Sequence, residues 1–293
     1  MPTVAQALRW AEALLAEGRE DSAAAVADAA IDARWLLAHV LQKNQAWLRA
    51  WPERVLSAEE DTQFQSAVLR RQRGEPVAYI TGNQGFWSLE LEVTPDTLVP
   101  RADTECLVMT ALDTLDEQPR RVLDLGTGTG AIALALGSER SQWQVFASDI
   151  DAASVALAQR NATRLQLPLT LRQSDWLQGW RGERFDLIVS NPPYIRCDDS
   201  HLLGTGVRHE PLRALVSGAD GLLDIRRLIA TAPKHLFDGG WLMLEHGFDQ
   251  GAAVQQLFAG AGWHQIATRQ DYGGNDRVTL ARWISSGRED ASS

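Results

Sequence analysis

Apolar side chains recur every three or four positions in residues 1–74, most clearly over Ile31–Leu41. This spacing places them on one face of a helix. A further helix is predicted to begin at Ser57, because Glu60 follows three residues later, as in an N-terminal capping box. We therefore expect a small all-helical N-terminal domain. Since the segment carries no catalytic motif, its expected role is substrate recognition.

The hydrophobic pattern changes in residues 75–100. The apolar run Val77–Ile80 and the strict alternation in Leu89–Val93 predict short strands, while Pro95 and Pro100 mark turns. This region is therefore predicted to be a β-hairpin-like linker.

Strand-like and helix-like segments alternate in residues 101–284, which predicts an α/β fold. Its mostly parallel sheet would carry helices on both faces. The polar segment 285–293 is predicted to be a disordered tail. The predicted strands are Arg121–Leu125, Trp143–Ser148, Leu169–Gln173, Phe185–Ser190, Gly240–Glu245 and Arg277–Ala281. The main predicted helices are Ala131–Leu136, Ile225–Leu236 and Ala252–Ala261.

Composition narrows the possible functions. The 293 residues include 28 basic and 38 acidic side chains, giving a net charge of −10. Proteins that bind duplex DNA usually carry a basic surface, so the charge argues against stable nucleic-acid binding. An acidic surface instead suits a basic protein partner.

Cysteine content and hydropathy indicate the compartment. Cys106 and Cys197 are far apart and belong to no CxxC motif, so neither a metal site nor a disulfide framework is predicted. Both are expected to be packing thiols. No secretory leader is apparent, and no apolar run reaches the ~18 residues of a membrane span. We therefore expect a cytoplasmic protein that does not associate with membranes.

A glycine-rich segment follows the first predicted strand of the α/β region and precedes a helix. Glycines there allow a tight turn and close approach of a ligand to the backbone. An acid two positions before the first glycine would repel a phosphate but suits a cationic ligand, such as a sulfonium with its ammonium group. The candidate ligand-binding residues are Asp124, Gly126, Thr127, Gly128, Thr129 and Gly130.

Two further acids follow the next two strands. Asp149 can accept hydrogen bonds from both ribose hydroxyls of a nucleoside, and Asp175 with Trp176 lies where an adenine edge would sit. Taken singly, Asp149 or Asp175 is equally consistent with a turn or N-cap acid. Three acids at the carboxyl ends of successive strands together predict an S-adenosylmethionine site.

The most specific motif, Asn191-Pro192-Pro193-Tyr194, ends the fourth strand. The Asn191 side-chain oxygen and the Pro192 carbonyl can accept both hydrogens of a planar NH2 group. Pro193 stiffens the backbone, and Tyr194 can pack against the flat substrate. Holding the NH2 group orients it and stabilises the charge that develops on nitrogen. Asn191, Pro192 and Tyr194 are thus the candidate catalytic residues, and all four residues are candidate substrate-binding residues.

Asp124–Gly130, Asp149 and Asn191–Tyr194 together resemble class I S-adenosylmethionine-dependent methyltransferases that modify amino groups, namely those of adenine N6, cytosine N4 or protein glutamine. Further segments narrow the resemblance to the PrmC (HemK) family, although Ala102 stands where that family commonly has proline. These segments are Glu75-Pro76, Ile80–Gly82, Phe86-Trp87, Leu98–Arg101, Asp103–Glu105, Glu210-Pro211, Leu244–Gly247 and Asp271–Gly273.

The resemblance implies a class I, Rossmann-like methyltransferase fold. It also implies methyl transfer from S-adenosylmethionine to the side-chain N5 of the glutamine in the Gly-Gly-Gln motif of class 1 peptide chain release factors, which modulates translation termination. It places cofactor contacts at Gly126–Gly130, Asp149, Trp176 and Asn191, and the substrate glutamine at Asn191 and Pro192. The helical domain would then bind the body of the release factor.

Two other functions remain open from the residues alone. An adenine or cytosine amine is also a planar NH2 group, so the motif fits an amino-methyltransferase acting on nucleic acid. A non-enzymatic cofactor-binding protein on the same fold is the third hypothesis. The roles of Arg101 and Glu210 also remain open, and His246 is expected to be structural.

Overall fold

The computed structural model describes residues 1–17, 23–204 and 207–285. The predicted tail beyond Ser285 lies outside the described residues. The chain forms two compact units, one made of Met1–Asn83 and His201–His209, the other of Gln84–Ser200 and Glu210–Ser293. Among the described residues, no helix combines the length and apolar character needed to cross a bilayer.

The first unit is helical, as the spacing of its apolar residues predicted. Helix α4 begins with the predicted capping box: the Glu60 backbone N–H donates to Ser57 Oγ at 3.2 Å, and the Ser57 backbone N–H donates to the Glu60 carboxylate at 2.8 Å. A core that includes Leu36, Leu37 and Phe64 joins the helices. The helices are α1 Val4–Ala16, α2 Ala23–Leu41, α3 Gln45–Ala50, α4 Ala58–Gln72 and α5 Val77–Thr81.

Replacing Ser57 by alanine removes the acceptor for one N–H at the start of α4. We expect a loss of about 1 kcal/mol in the free energy of unfolding, measured by urea denaturation. Ser66→Ala is the matched control, since Ser66 is exposed inside the same helix, where alanine is favourable. Equal stability of Ser57→Ala and the wild type would contradict the expectation.

The strand predicted at Val77–Ile80 is wrong, because this segment forms helix α5. Ile80 packs into the helical core, and Gly82, at φ +74°, ends the helix in a left-handed conformation. The tertiary packing of a helical face thus prevails over strand propensity. The predicted hairpin begins later, as a two-stranded sheet of β1 (Asn83–Phe86) and β2 (Leu89–Glu92).

The second unit is built on a seven-stranded sheet in the order β5-β4-β3-β6-β7-β9-β8. The first five strands of this order are parallel, and β9 runs antiparallel to both β7 and β8. The predicted mostly parallel fold is therefore confirmed. The strands are β3 Arg121–Leu125, β4 Gln144–Asp149, β5 Thr170–Gln173, β6 Phe185–Ser190, β7 Leu236–Glu245, β8 His264–Gln270 and β9 Asp276–Arg282.

Helices cover both faces of the sheet. Leu187 and Val189 of β6 face one apolar cluster with α6 and α7, while Ile188 between them faces a second with α9 and α10, as the two-residue period of a strand requires. The helices are α6 Glu105–Thr114, α7 Ala131–Glu139, α8 Ala152–Leu165, α9 Leu223–Thr231 and α10 Gly251–Gly260.

Some predicted details of this unit differ from the structure. The helix predicted to reach Leu236 ends at Thr231, and a short 3-10 turn containing Pro233 follows. The edge strand β8 was not predicted, because its sequence HQIATRQ is largely exposed and carries few apolar residues. Cys106 is buried as expected, but Cys197 is exposed, so the expectation of a packing thiol is wrong there.

Candidate active site

The carboxyl ends of β4, β3 and β6 lie side by side in the sheet. The chain continues from β3 to β4 on one side and returns to β6 on the other, and ligands of open α/β sheets bind at such a reversal. The glycine-rich segment follows β3, Asp149 ends β4, and Asn191 follows β6. The topology therefore brings three separate sequence motifs to one place.

A cavity of about 350 Å³ opens at this edge, within the usual range for small-molecule sites. Four candidate residues do not line it: Asp124, Gly130, Pro192 and Tyr194. The predicted residues that do are Gly126, Thr127, Gly128, Thr129, Asp149, Asp175, Trp176, Asn191 and Pro193.

The glycine-rich loop is held against the end of β4. Gly126 and Gly128 have φ of +71° and +53°, a region that glycine adopts without steric cost. The Gly128 N–H donates to Asp149 Oδ2 at 2.9 Å, and the Asp151 N–H donates to Asp149 Oδ1 at 3.0 Å. Each carboxylate oxygen keeps a further lone pair, so Asp149 can still accept two hydrogen bonds from a ligand. Burial raises the pKa of Asp149.

Asp124 lies behind the loop, fully buried. Its Oδ2 accepts a hydrogen bond from Thr127 Oγ1 at 2.6 Å. Burial raises the pKa of Asp124 to about 7, and the hydrogen bond from Thr127 opposes this rise. Direct contact between Asp124 and a cationic ligand was expected, but the structure places the carboxyl where it shapes the loop instead.

Trp176 forms one wall of the cavity. Its φ is +49°, uncommon for a residue with a side chain, and a Cβ on Gly126 would lie 3.4 Å from its ring. The indole Nε1 donates to Asp224 Oδ1 at 3.1 Å. Asp175 is held by Arg227, with Nη2 2.7 Å from Oδ2. Trp176 thus presents an ordered flat surface, and the Asp175 carboxylate already has a cationic partner.

Asn191 and Tyr194 point to different surroundings. Asn191 Nδ2 donates to Thr104 Oγ1 at 3.1 Å, and within the part of the chain that the structure describes no donor reaches Asn191 Oδ1. Tyr194 packs against the apolar cluster under α9 and α10, and its hydroxyl donates to Glu245 Oε1 at 3.4 Å. Tyr194 does not line the cavity, whereas Asn191 offers an acceptor there. Packing of Tyr194 on the substrate stays a prediction.

The structure also shows the partners of Arg101, Glu210 and His246, whose roles the sequence did not establish. Arg101 lines the cavity and pairs with Glu210, with Nη2 3.1 Å from Oε2. Burial raises the pKa of Glu210, and Arg101 partly opposes this rise. His246 is fully buried, with its ring nitrogens 2.9 Å from Gly247 O and 2.8 Å from Thr279 Oγ1. These contacts give His246 a structural environment, as expected.

Comparison with known proteins identifies the family. Profiles described as the PrmC N-terminal domain and the methyltransferase small domain match residues 6–82 and 103–210. A Pseudomonas aeruginosa protein named release factor glutamine methyltransferase is 54% identical over 256 residues, 87% of this chain and 93% of the relative. The chain belongs to the release factor glutamine methyltransferase family. A member from Escherichia coli is 50% identical over 253 residues, 86% of this chain and 91% of the relative.

A solved structure supports the fold of this methyltransferase. A methyltransferase from Pyrococcus furiosus superimposes with a TM-score of 0.52 at 19% identity, covering 75% of this chain and 98% of the other. At that identity the likeness concerns the fold alone.

Several residues at the cavity of this methyltransferase were missed by the sequence reasoning. Thr104 lies in Asp103–Glu105, one of the segments that resemble the family, but no role was assigned to it. Asp224 begins a helix, where aspartate commonly acts as a local cap, so its sequence position carried no sign of a site. Arg227 lies in the middle of α9 and had no motif around it. Only the fold brings these three residues to the glycine-rich loop, which lies far from each of them along the chain.

Proposed function

We propose that this protein transfers a methyl group from S-adenosylmethionine to the side-chain N5 of the glutamine in the Gly-Gly-Gln motif of class 1 peptide chain release factors. The proposal rests on the hydrogen bonding of the Asn191 side-chain amide. Its nitrogen is engaged with Thr104, and its oxygen is left as an acceptor at a cavity whose other wall holds Asp149.

The residues around the cavity fit S-adenosylmethionine. The Asp149 carboxylate has two lone pairs left for the ribose hydroxyls, the loop Gly126–Thr129 offers close backbone approach, and the Trp176 ring gives a flat surface for the adenine. Asp124 supports the loop from behind through Thr127. When bound, this cofactor supplies an electrophilic methyl group on a sulfonium.

The protein contributes to the reaction by positioning the glutamine amide. Asn191 Oδ1 accepts one hydrogen of the glutamine amide, and Pro193 keeps the backbone stiff. Pro192 does not line the cavity, so the assignment of its carbonyl as acceptor of the second hydrogen rests on the family resemblance. The amide nitrogen forms a bond to the methyl carbon while the carbon–sulfur bond breaks, and the nitrogen then gives up one proton to water. Because an amide nitrogen is a weak nucleophile, holding it in line with the methyl group is the main contribution of the protein.

A protein substrate is large enough to be bound by the helical unit as well as by the active site. We infer that residues 1–74 belong to a substrate-recognition domain that binds the body of the release factor, while residues 101–284 form the methyltransferase domain. Glycines beside the target glutamine allow the peptide to enter a narrow cavity. A substrate that works on the ribosome places the reaction in the cytoplasm.

Methyl transfer to a purified, unmethylated class 1 release factor tests the proposal. We expect one added methyl group per molecule, which mass spectrometry of the digested product assigns to the Gly-Gly-Gln glutamine. The matched control is the same release factor with that glutamine replaced by glutamate, which has no amide nitrogen to accept the methyl group.

A methyl group that appears on another residue, or equally on the glutamate variant, would contradict the substrate assignment. Tight binding of S-adenosylmethionine without any transfer would contradict it as well, while leaving the cofactor site intact. In that case methylation of DNA or RNA at low salt would test the nucleic-acid alternative, since such binding weakens steeply with added salt.

A further inference from the structure

A buried carboxylate stands behind the candidate active site. Glu245, 1% exposed, ends β7 beside β6. Its Oε1 accepts from the Tyr194 hydroxyl, and within the described residues no hydrogen bond forms to its buried Oε2. An unpaired buried carboxylate oxygen is costly, so the carboxylate has a strong tendency to accept a further proton donor.

Thr104 lies between this carboxylate and the cavity. It is 5% exposed, and although it begins α6, its side chain makes no capping hydrogen bond to the helix. Its Oγ1 instead accepts from Asn191 Nδ2. Glu245 is a neighbour of the same hydroxyl, which favours the ionised carboxylate and so lowers the pKa of Glu245. The hydroxyl thus lies where its single proton can be donated to the unpaired carboxylate oxygen while its oxygen accepts from Asn191.

The direction of this connection decides which end of the Asn191 amide faces the substrate. The oxygen and nitrogen of an amide have nearly the same shape, so hydrogen-bond partners determine its orientation. A threonine hydroxyl has a single proton. If Thr104 donates this proton in a hydrogen bond to Glu245, its oxygen can only accept from Asn191. Asn191 Oδ1 then faces the cavity. If Thr104 donated to Asn191 instead, the amide would turn its NH2 group toward the substrate NH2.

We propose that Thr104 and Glu245 are positioning residues that hold the Asn191 amide with its oxygen toward the substrate. The proposal rests on the proposed function, because it assigns Asn191 Oδ1 to the glutamine amide. Glu245 also accepts from Tyr194 and so fixes the end of the same motif. This gives Tyr194 a role without contact with the substrate.

The matched variants are Thr104→Val, which keeps the shape but removes the hydroxyl, and Thr104→Ser, which restores it. For Thr104→Val we expect kcat to fall about 10- to 100-fold, the range for a misplaced reacting group. The dissociation constant of S-adenosylmethionine should stay within about twofold, because valine keeps the shape of Thr104 at the cavity wall and leaves Asp149 and the glycine-rich loop unchanged. Thr104→Ser should recover kcat to within about threefold of the wild type.

Thr110→Val is the control for the loss of a buried hydroxyl. Thr110 is equally buried on the same helix, and its hydroxyl donates to Cys106 O, away from the cavity. It should lose stability without a change in kcat. The proposal would be overturned if kcat of Thr110→Val fell as far as that of Thr104→Val, or if Thr104→Ser failed to recover activity.

Glu245→Gln gives a second test, through the pH profile. Burial raises the pKa of Glu245 to about 7, and the neighbouring Thr104 hydroxyl opposes this rise. Only the ionised Glu245 carboxylate orients Asn191 through Thr104. We therefore expect kcat of the wild type to rise as pH increases through about 7. The rise should be absent in Glu245→Gln. Charged and titratable groups near Glu245 come from several elements: Arg101, Asp103, Cys106, Tyr194, Asp271 and Arg277. An unchanged pH profile in Glu245→Gln would overturn the role of Glu245.

A readout without turnover separates this proposal from the proposed function. The chain has five asparagines, so selective 15N-asparagine labelling gives few side-chain amide signals, and Asn191→Ala assigns the relevant one. We expect this signal to shift in Thr104→Val and to return in Thr104→Ser. If the wild type does not methylate a release factor, the proposed function fails and the amide signal alone decides the positioning role. An unshifted signal in Thr104→Val overturns that role.

Discussion

Asn191→Ala is expected to reduce methyl transfer to a release factor by about 10²- to 10³-fold, the cost of removing one preorganised hydrogen-bonding group at a reacting centre. The truncation removes the acceptor for one hydrogen of the substrate amide. It leaves Asp149 and the glycine-rich loop in place, so the affinity for S-adenosylmethionine should fall only modestly. Single-turnover methylation and calorimetric titration of the cofactor measure the two quantities separately.

The control for this variant is Asn275→Ala. Asn275 is exposed in the turn between β8 and β9 and does not line the cavity, so turnover should match that of the wild type. The role of Asn191 would be refuted by a variant that retains wild-type turnover. A variant that loses cofactor affinity as strongly as turnover would show instead that Asn191 serves mainly the cofactor.

The sequence predicted the location of the site better than the directions of its side chains. Asp149 and Asn191 each follow a strand, and parallel strands place their carboxyl ends at one edge of the sheet. Their approach to the glycine-rich loop therefore follows from local motifs together with topology. The fold class followed from the same alternation of strands and helices, although the edge strand β8, with few apolar residues, gave no clear signal.

The direction of a side chain depends on partners that are distant in sequence. Tyr194 turns away from the cavity because Glu245, 51 residues later, accepts a hydrogen bond from its hydroxyl. Similarly, α5 is helical because Ile80 packs into a core built from distant helices. None of these contacts has a signature in the local sequence.

The second large effect is expected at Asp149, and asparagine is the informative replacement. Both carboxylate oxygens of Asp149 already accept backbone N–H groups, from Gly128 and Asp151. An asparagine must therefore turn its NH2 group toward one of these donors and lose a hydrogen bond there. It also offers the ribose a single acceptor. Hydrogen bonds to charged groups contribute about 1.5–3 kcal/mol each, so the dissociation constant of S-adenosylmethionine should rise at least about tenfold.

Asp113→Asn provides the same change of charge at an exposed position of α6 and should leave the affinity unchanged. A cofactor analogue lacking one ribose hydroxyl distinguishes a direct contact from a general disturbance of the loop. If Asp149 holds that hydroxyl, the wild type loses affinity for the analogue while Asp149→Asn loses much less, because the two changes remove the same interaction. Equal losses in both proteins would mean that Asp149 acts on the cofactor only by shaping the loop at Gly128.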